Sequence, residues 1–282
     1  DLKALLKTMK VFSKNCKYLL ANHDCPNIRK NIQASSWWSI ETSKGIDYAG
    51  LPVKINGHQT IADIYEQGQR IGQINVPIPG LHNLSNATAA IAACRIAGIP
   101  FNVLQKNICS LAAPGRRFDF RGIWEGRQIV DDYAHHPSEV RATLTMARLM
   151  INTGQSPLPK APKRLVVIFQ PHRYSRVNRF LKDFAIALGE SDIVLIAPVY
   201  SAGESPIKGS NSQSLADCVR KYHPKMQILV ADDLKKLTRL VKQHTRKDDL
   251  VLTLGAGDVN KLWEQLRNPN NTNKWQTSRL AA

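Results

Sequence analysis

The chain has 282 residues, 43% of them hydrophobic, which is enough for one large hydrophobic core or two ordinary ones. It contains no long uninterrupted apolar run, so we expect no membrane-spanning helix. Its five cysteines are scattered without a C-x-x-C pair, which favours reduced thiols over disulfide bonds or a zinc site.

The formal net charge of +17 indicates a surface that attracts phosphate groups on nucleotides, sugar nucleotides or nucleic acids. The lysines and arginines are spread along the chain, however, without a basic block and without interleaved aromatic residues. We therefore interpret most of the charge as solvated surface and do not expect nucleic-acid binding.

The first residues, DLKALLKTMKVFSKN, combine charges with apolar residues at helical spacing, which predicts a helix over residues 1–14. They do not resemble a signal peptide, because no small-residue cleavage site follows them, so we expect a cytoplasmic protein. The chain begins within this helix and without a methionine, which predicts a fragment of a longer protein.

A small mixed region is predicted next. KYLLAN is typical of a strand, and PNIRKNI of a turn or helix. Within residues 36–76, the segments WWSIE, DYAGLPVKI, QTIADIY and QRIGQINVPI predict four strands of an antiparallel meander, separated by turns such as NG. PGLHNLSNATAAIAACRIAGI then predicts a helix that ends near Gly98, and a second helix is expected near residues 101–111.

The second half begins with a predicted hairpin around Glu125 and then alternates helices with apolar strands. The strand segments are RLVVIF, DIVLIAPV, QILV and DLVLTLG, and the helices are expected over residues 138–151, 176–188, 212–221, 233–245 and 258–267. Continuous apolar strands are typical of sheets that helices cover on both faces. We therefore predict an α/β fold with a doubly wound, mostly parallel, Rossmann-like sheet, a Pro-rich surface loop at 152–163 and a flexible tail at 268–282.

Unusual polar segments follow the predicted strands: DDYAHHP, FQPHRYSR, APVYSAGESP and LGAGD. Sheets of this class bind ligands at the carboxyl ends of their strands, so we expect the chemistry at this edge. The last of these segments lacks the full G-x-G-x-x-G pattern and is a weak nucleotide signal.

FQPHRYSR places His172, Arg173 and Arg176 between a strand and a helix start. Three cationic or donor groups beside free backbone N–H groups favour a carboxylate or phosphate ligand. The alternative is two surface arginines and a capping histidine.

In DDYAHHPSE, a strand-end carboxylate such as Asp132 is well placed to accept hydrogen bonds from a ribose. His136 and Glu139 could instead share a metal ion, although no third ligand is visible in the sequence. A third interpretation is that the histidines cap the following helix.

Two further motifs are ambiguous by themselves. In GRRF, Arg116 and Arg117 could reach a phosphate or could be a solvated linker. In LHNLSN, Asn83 and Asn86 lie in the first turn of a helix, where asparagine can contact adenine or act as an N-cap.

Together, PGLHNLSNATAA, GRRFDFRG, DDYAHHPSEV, FQPHRYSR, AGESPI and LGAGD occur in the order seen in the Mur ligases, over the chain from near residue 1 to about 265. The sequence most resembles the branch that joins L-alanine to UDP-N-acetylmuramate. The resemblance implies an ATP- and Mg²⁺-dependent ligase of peptidoglycan synthesis that forms an acyl phosphate, which the amine of L-alanine attacks. The resemblance implies that Asn83 and Asn86 contact adenine, that Arg117 contacts the ATP phosphates and that Asp132 contacts the ribose. It implies that Tyr133 and His135 lie near the acyl centre. The alanine carboxylate would be bound by His172, Arg173 and Arg176.

The resemblance also implies that residues 1–114 are the end of a central ATP-binding domain and that residues 115–267 are the carboxy-terminal domain. No G-x-x-x-x-G-K-[ST] segment occurs in the 282 residues, so the loop that holds ATP phosphates is not among them. We expect the main Mg²⁺ ligands before residue 1 and the chain by itself to be catalytically incomplete. The alternatives are a non-catalytic binding remnant and a relative that adds a peptide to a muramyl carboxylate.

Overall fold

A computed structural model describes residues 2–111 and 115–266, and the backbone of a short strand at 275–276. The chain divides into two compact units, Asp1–Ala112 and Ala113–Ala282. Within the described residues, no helix is both long enough and apolar enough to cross a membrane.

In its described residues, the first unit is a five-stranded sheet with four helices. Its helices are α1 (Leu2–Lys14), α2 (Pro26–Asn31), α3 (Leu81–Ile96) and α4 (Phe101–Ile108). Its strands are β1 (Leu20–Asn22), β2 (Ser36–Ser39), β3 (Tyr48–Ile55), β4 (Thr60–Glu66) and β5 (Gln69–Val76). The strands lie in the order β1-β2-β3-β4-β5.

The predicted antiparallel meander is correct only for β3, β4 and β5. Strand β2 pairs with β3 in parallel, and β1 pairs with β2 in parallel. Residues 40–47 connect the end of β2 to the start of β3, so that the two strands run in the same direction. In this connection the carboxylate of Asp47 accepts a hydrogen bond from Trp37 N (2.8 Å). Alternation of apolar residues identifies a strand but does not give its direction, so the sequence did not reveal this.

Helix α3 packs its small and apolar residues on this sheet. Leu84, Ala87 and Ile91 are buried in one cluster with Ile64 and Ile74 of the sheet. The helix ends as predicted before Gly98, whose φ of +86° suits glycine after a helix.

The second unit contains the predicted doubly wound sheet, and the predicted α/β fold class is confirmed. Its strands are β6 (Asp119–Trp124), β7 (Arg127–Asp132), β8 (Arg164–Phe169), β9 (Ile193–Ile196), β10 (Gln227–Val230), β11 (Asp249–Leu254) and β12 (Trp275–Gln276). They lie in the order β10-β9-β8-β11-β7-β6-β12, with β7 to β11 parallel and β6 antiparallel to β7.

Helices α5 (Pro137–Thr153), α6 (Tyr174–Ala187), α7 (Ser212–Tyr222), α8 (Leu234–His244) and α9 (Leu262–Leu266) accompany these strands. Along β8, Leu165, Val167 and Phe169 enter one hydrophobic cluster, whereas Val166 and Ile168 enter a second. This alternation explains the continuous apolar strands, because each face of the sheet is buried by its own set of helices.

Three predicted segments differ in detail. The helix expected from residue 258 begins as a 3₁₀ turn, Val259–Lys261. The loop expected as surface at 152–163 buries Leu158, and its Lys160 exchanges two hydrogen bonds with the buried Gln128. Of the predicted tail, only the backbone of β12 is described, paired antiparallel with β6; the remainder lies outside the described residues.

Candidate ligand site at the carboxyl edge of the parallel sheet

A row of aromatic rings crosses the carboxyl ends of β7, β8 and β9. Tyr133 and His135 have ring centroids 5.2 Å apart, and His135 and His172 have centroids 5.7 Å apart. Tyr200 stacks on His172 at 5.4 Å with an interplanar angle of 16°. The structure thus brings together three predicted site residues and one residue that the sequence did not single out.

His172 and Arg176 form the centre of the predicted anion site. An N–H of Arg176, in the first turn of α6, donates to Nδ1 of His172 (3.2 Å), which lies in the loop before that helix. Burial lowers the pKa of His172, and the charges of Arg176, His135 and Arg173 lower that pKa further. A neutral imidazole therefore lies beside the permanent positive charge of Arg176.

Arg173 is the residue from which α6 starts, and its backbone has a φ of +68°. Its backbone N–H donates to the carbonyl of Tyr200 (2.8 Å), which fixes this turn against the segment that follows β9. The guanidinium is half exposed and lies 3.8 Å from the carboxylate of Glu204. Arg173 therefore presents its charge to solvent at the rim of the site.

The start of α6 is not open to a ligand in the way the sequence suggested. The carboxylate of Glu204 accepts hydrogen bonds from the backbone N–H (3.0 Å) and hydroxyl (2.6 Å) of Ser175. These two hydrogen bonds hold the pKa of Glu204 below its usual value. The N–H of Ser175, one of the free groups expected there, is thus already capped by a side chain from another loop, and we expect an anion to depend on the His172, Arg173 and Arg176 side chains.

The histidines of DDYAHHP begin α5. His136 is its N-cap, and the carboxylate of Glu139 accepts the backbone N–H groups of His135 and His136, both at 3.0 Å. This is a capping box, so the structure favours the capping interpretation of His136. Among residues 2–111 and 115–266, no group of three His, Cys, Asp or Glu side chains is arranged to hold a metal ion.

Asp132 is buried at the end of β7. One carboxylate oxygen accepts the backbone N–H of Ala134 and the other accepts that of Phe118, both at 2.8 Å. Burial raises the pKa of Asp132, and the two backbone hydrogen bonds oppose that rise. The carboxylate fastens the GRRF loop to the sheet, and its contact with a ribose remains a prediction.

The two arginines of GRRF have different surroundings. Arg116 points inward and forms an ion pair with the buried Asp131 (2.9 Å). Arg117 is exposed. Arg117 is therefore the more exposed of the two side chains that could meet a phosphate, whereas Arg116 is partly buried and already paired.

Asn83 and Asn86 belong to the first unit and lie in the first two turns of α3. The N-cap is Gly80, so the interpretation of an asparagine as the cap is wrong. The amide of Asn83 donates to the carbonyl of Pro79 (2.8 Å), and Asn86 is exposed. Their contact with adenine remains a prediction.

Residues 116–257 match the family model described as Mur ligase, glutamate ligase domain. This segment is half of the chain and includes every loop of the second unit described above. The chain belongs to the Mur ligase family. The resemblance seen in the ordered motifs is thereby confirmed.

Among curated Mur ligases, two similar sequences are UDP-N-acetylmuramate–L-alanine ligases of Prochlorococcus marinus. The protein of strain MIT 9303 is 60% identical over 96% of this chain and 56% of its own length. The protein of strain MIT 9313 is 59% identical over 100% of this chain and 58% of its own length. The chain therefore spans a little more than half the length of these relatives.

Solved Mur ligase structures share the fold. The UDP-N-acetylmuramate–alanine ligase of Thermotoga maritima is 20% identical, with a TM-score of 0.75 over 97% of this chain and 56% of that one. A murein peptide ligase from Psychrobacter arcticus is 17% identical, with a TM-score of 0.63 over 94% of this chain and 54% of that one.

In this Mur ligase chain, the contacts of Glu204 and Tyr200 with the predicted site were not predicted from the sequence. Both lie in APVYSAGESP, which was recognised as a polar strand end without a role for either side chain. Glu204 acts on Ser175, 29 positions away, and Tyr200 acts on His172 through ring stacking. The signal available was their position after a buried strand, next to the loop that carries the cationic residues.

Proposed function

We propose that the protein containing this chain ligates L-alanine to UDP-N-acetylmuramate in peptidoglycan synthesis, using ATP and an acyl phosphate intermediate. The identities of 60% and 59% to two curated ligases of that name support this proposal. The structural observation that carries it is the pairing of His172 with Arg176 beside an exposed Arg173. We further propose a cytoplasmic location, a central-domain origin for residues 1–114 and a carboxy-terminal domain over residues 115–267.

The acceptor would be held by its carboxylate. Two guanidinium groups, from Arg173 and Arg176, offer forked donors that match a carboxylate. Neutral His172 adds a donor on the same side without competing for the negative charge. Glu204 occupies the start of α6, so the acceptor carboxylate is directed to these side chains.

The amine would lie toward Tyr133 and His135. Nδ1 of His135 lies 2.8 Å from the carbonyl oxygen of Tyr133, which favours the tautomer with the proton on Nδ1. Nε2 then carries a lone pair and can accept a proton from the α-ammonium group of alanine. The amine freed in this way attacks the acyl carbon. As the amide bond forms, the C–O bond to the phosphate breaks, and the departing phosphate takes the second proton of the amine.

For the nucleotide, we assign Asn83 and Asn86 to adenine, Asp132 to the ribose and Arg117 to the phosphates of ATP. The exposed guanidinium of Arg117 and the polar end of β7 support the last two assignments. The family also implies Mg²⁺, which would neutralise phosphate charge. The described residues provide no group of three suitable side chains for it, so no residue of this chain is assigned to Mg²⁺.

The experiment is an assay of ADP release by a full-length ligase that contains this chain. We expect release that requires UDP-N-acetylmuramate and L-alanine together, and an amide product of matching mass. Release with an alanyl peptide but not with L-alanine would instead indicate a peptide-adding relative. Nucleotide binding without release under either condition would indicate a non-catalytic protein.

A further inference from the structure

Arg116 is bound on several sides within the second unit. Its Nε donates to Asp131 (2.9 Å), and its terminal nitrogens donate to the carbonyls of Gly255 (2.8 Å) and Gly257 (3.5 Å). The guanidinium also lies over the ring of Tyr133, 4.9 Å from its centroid. One side chain thus ties the GRRF loop to the end of β7 and to the turn after β11.

The partner of Arg116 is Asp131, a buried carboxylate whose charge requires a neighbouring cation. Asp131 is 1% exposed and also accepts a hydrogen bond from the buried hydroxyl of Thr253 (2.7 Å). The indole N–H of Trp263 donates in turn to the Thr253 hydroxyl (3.3 Å). Removing one partner from a buried ion pair leaves a charge without compensation, so this network holds Arg116 strongly in place.

The backbone on both sides of Arg117 is strained. Arg116 has a φ of +59° and Phe118 a φ of +48°, a region that non-glycine residues rarely adopt. Two hydrogen bonds maintain it: Tyr133 N to the carbonyl of Arg116 (2.7 Å), and Phe118 N to Asp132 (2.8 Å). Such a conformation persists only when surrounding contacts over-determine it.

We propose that Arg116 is a positioning residue that, through its ion pair with Asp131, holds the strained loop so that Arg117 faces the nucleotide. Arg116 does not itself bind phosphate, since its charge is matched by a buried carboxylate and a tyrosine ring covers it. This inference rests on the proposed role of Arg117 in nucleotide binding. It adds that Arg116 affects nucleotide binding only through Arg117.

A double-mutant cycle in the full-length ligase tests this relation. Arg116→Gln, Arg117→Gln and the double variant would be compared for affinity toward a non-hydrolysable ATP analogue by calorimetry, and for the KM of ATP and of L-alanine. We expect each single variant to lose about tenfold in nucleotide affinity, as for one charged hydrogen bond. The double variant should be no weaker than Arg117→Gln alone, and the KM of L-alanine should change little.

Independent losses that multiply in the double variant would overturn the proposal, because they would show that Arg116 contacts the nucleotide by itself. Unchanged affinity in Arg116→Gln would overturn it as well. If that variant does not fold, Arg116→Lys serves in the same cycle, because it keeps a charge for Asp131 but loses the forked bonds to Gly255 and Gly257.

Arg220→Gln is the matched control, since Arg220 lies near the end of α7 and pairs with Asp217 on the surface. It should leave nucleotide affinity unchanged. Calorimetry reads nucleotide binding without turnover, so a failure of this inference is distinguishable from a failure of the proposed ligase reaction, which the ADP-release assay of the parent protein detects.

Discussion

The two units differ in how they bury apolar side chains and in how they hold their polar ones. The second unit has a hydrophobic cluster on each face of its sheet. Over residues 2–111 the first unit has one smaller cluster, and its α1 has no buried residue, with Leu5 57% and Phe12 61% exposed. In the second unit, apolar residues are thus buried on both faces of the sheet. In the first unit, the apolar face of α1 is exposed.

The same contrast holds for the predicted site residues. In the second unit, the predicted residues His135 and His172 contact each other, and Arg176 donates to His172. Tyr200, which the sequence did not single out, stacks against His172. In the first unit, the predicted adenine contacts are borne by the single helix α3. The residues proposed to bind the acceptor therefore belong to one unit, on loops that the sheet brings to one edge.

The first prediction is that the 282 residues by themselves do not turn over ATP. Phosphoryl transfer depends on a phosphate-binding loop, its lysine and Mg²⁺, and no G-x-x-x-x-G-K-[ST] segment occurs in this chain. The cationic side chains proposed to bind the acceptor in the second unit cannot replace them. We expect phosphate release at background with UDP-N-acetylmuramate and L-alanine present. Stimulated release that disappears in Asp132→Ala would show this expectation to be wrong.

The second prediction compares core burial in the two units by denaturant unfolding. Leu144→Ala removes a fully buried side chain of α5 and should lower the free energy of unfolding by about 2–5 kcal/mol. Leu5→Ala, on the exposed face of α1, should change it by no more than about 0.5 kcal/mol. Equal losses in the two variants would mean that α1 is buried in solution and that the contrast between the units is false.

The third prediction concerns Arg176 and Arg173, which we propose bind the carboxylate of L-alanine. Arg176→Lys in the full-length ligase replaces a forked donor by a point charge and should weaken alanine binding by about 1.5–3 kcal/mol, seen as a raised KM. Arg173→Lys should have the smaller effect, because its guanidinium is half exposed and already faces Glu204. The KM of ATP serves as the internal control. Normal alanine kinetics in both variants would rule out the assignment.

The fourth prediction is a weak dependence of the free energy of unfolding on pH. The pKa of His172 is lowered in the folded protein by burial and by neighbouring positive charges, so the unfolded chain takes up the proton more readily. Its contribution to stability is therefore complete above about pH 6.5 and is lost as the pH falls below that value. Thermal unfolding of His172→Gln should vary less with pH in this range than that of the parent protein.

His58→Gln provides the control for the pH experiment, since His58 is exposed in the turn between β3 and β4. It should leave the pH profile of thermal unfolding as it is. A steeper profile in His172→Gln would reverse the sign argued here and would contradict a neutral His172.

Much of the second unit could be predicted from local sequence. RLVVIF and QILV coincide with β8 and β10, and the hairpin at Glu125 lies between β6 and β7 as expected. Apolar runs of this length need burial on both faces, and helices between them require parallel pairing. The same rule located DDYAHHP and FQPHRYSR at one edge, because the carboxyl ends of parallel strands coincide.

Relations between residues that are distant in the sequence could not be predicted and are seen only in the folded chain. The parallel pairing of β2 with β3, the capping of α6 by Glu204, and the inward direction of Arg116 were not visible in the sequence. Glu204 acts across 29 positions, and Arg116 reaches Gly255 across 139. Sequence patterns determine which face of a segment is apolar and where it turns. Which of the adjacent Arg116 and Arg117 is the more buried depends on which one pairs with the buried Asp131. Asp131 reaches its position only when β7 has joined the sheet.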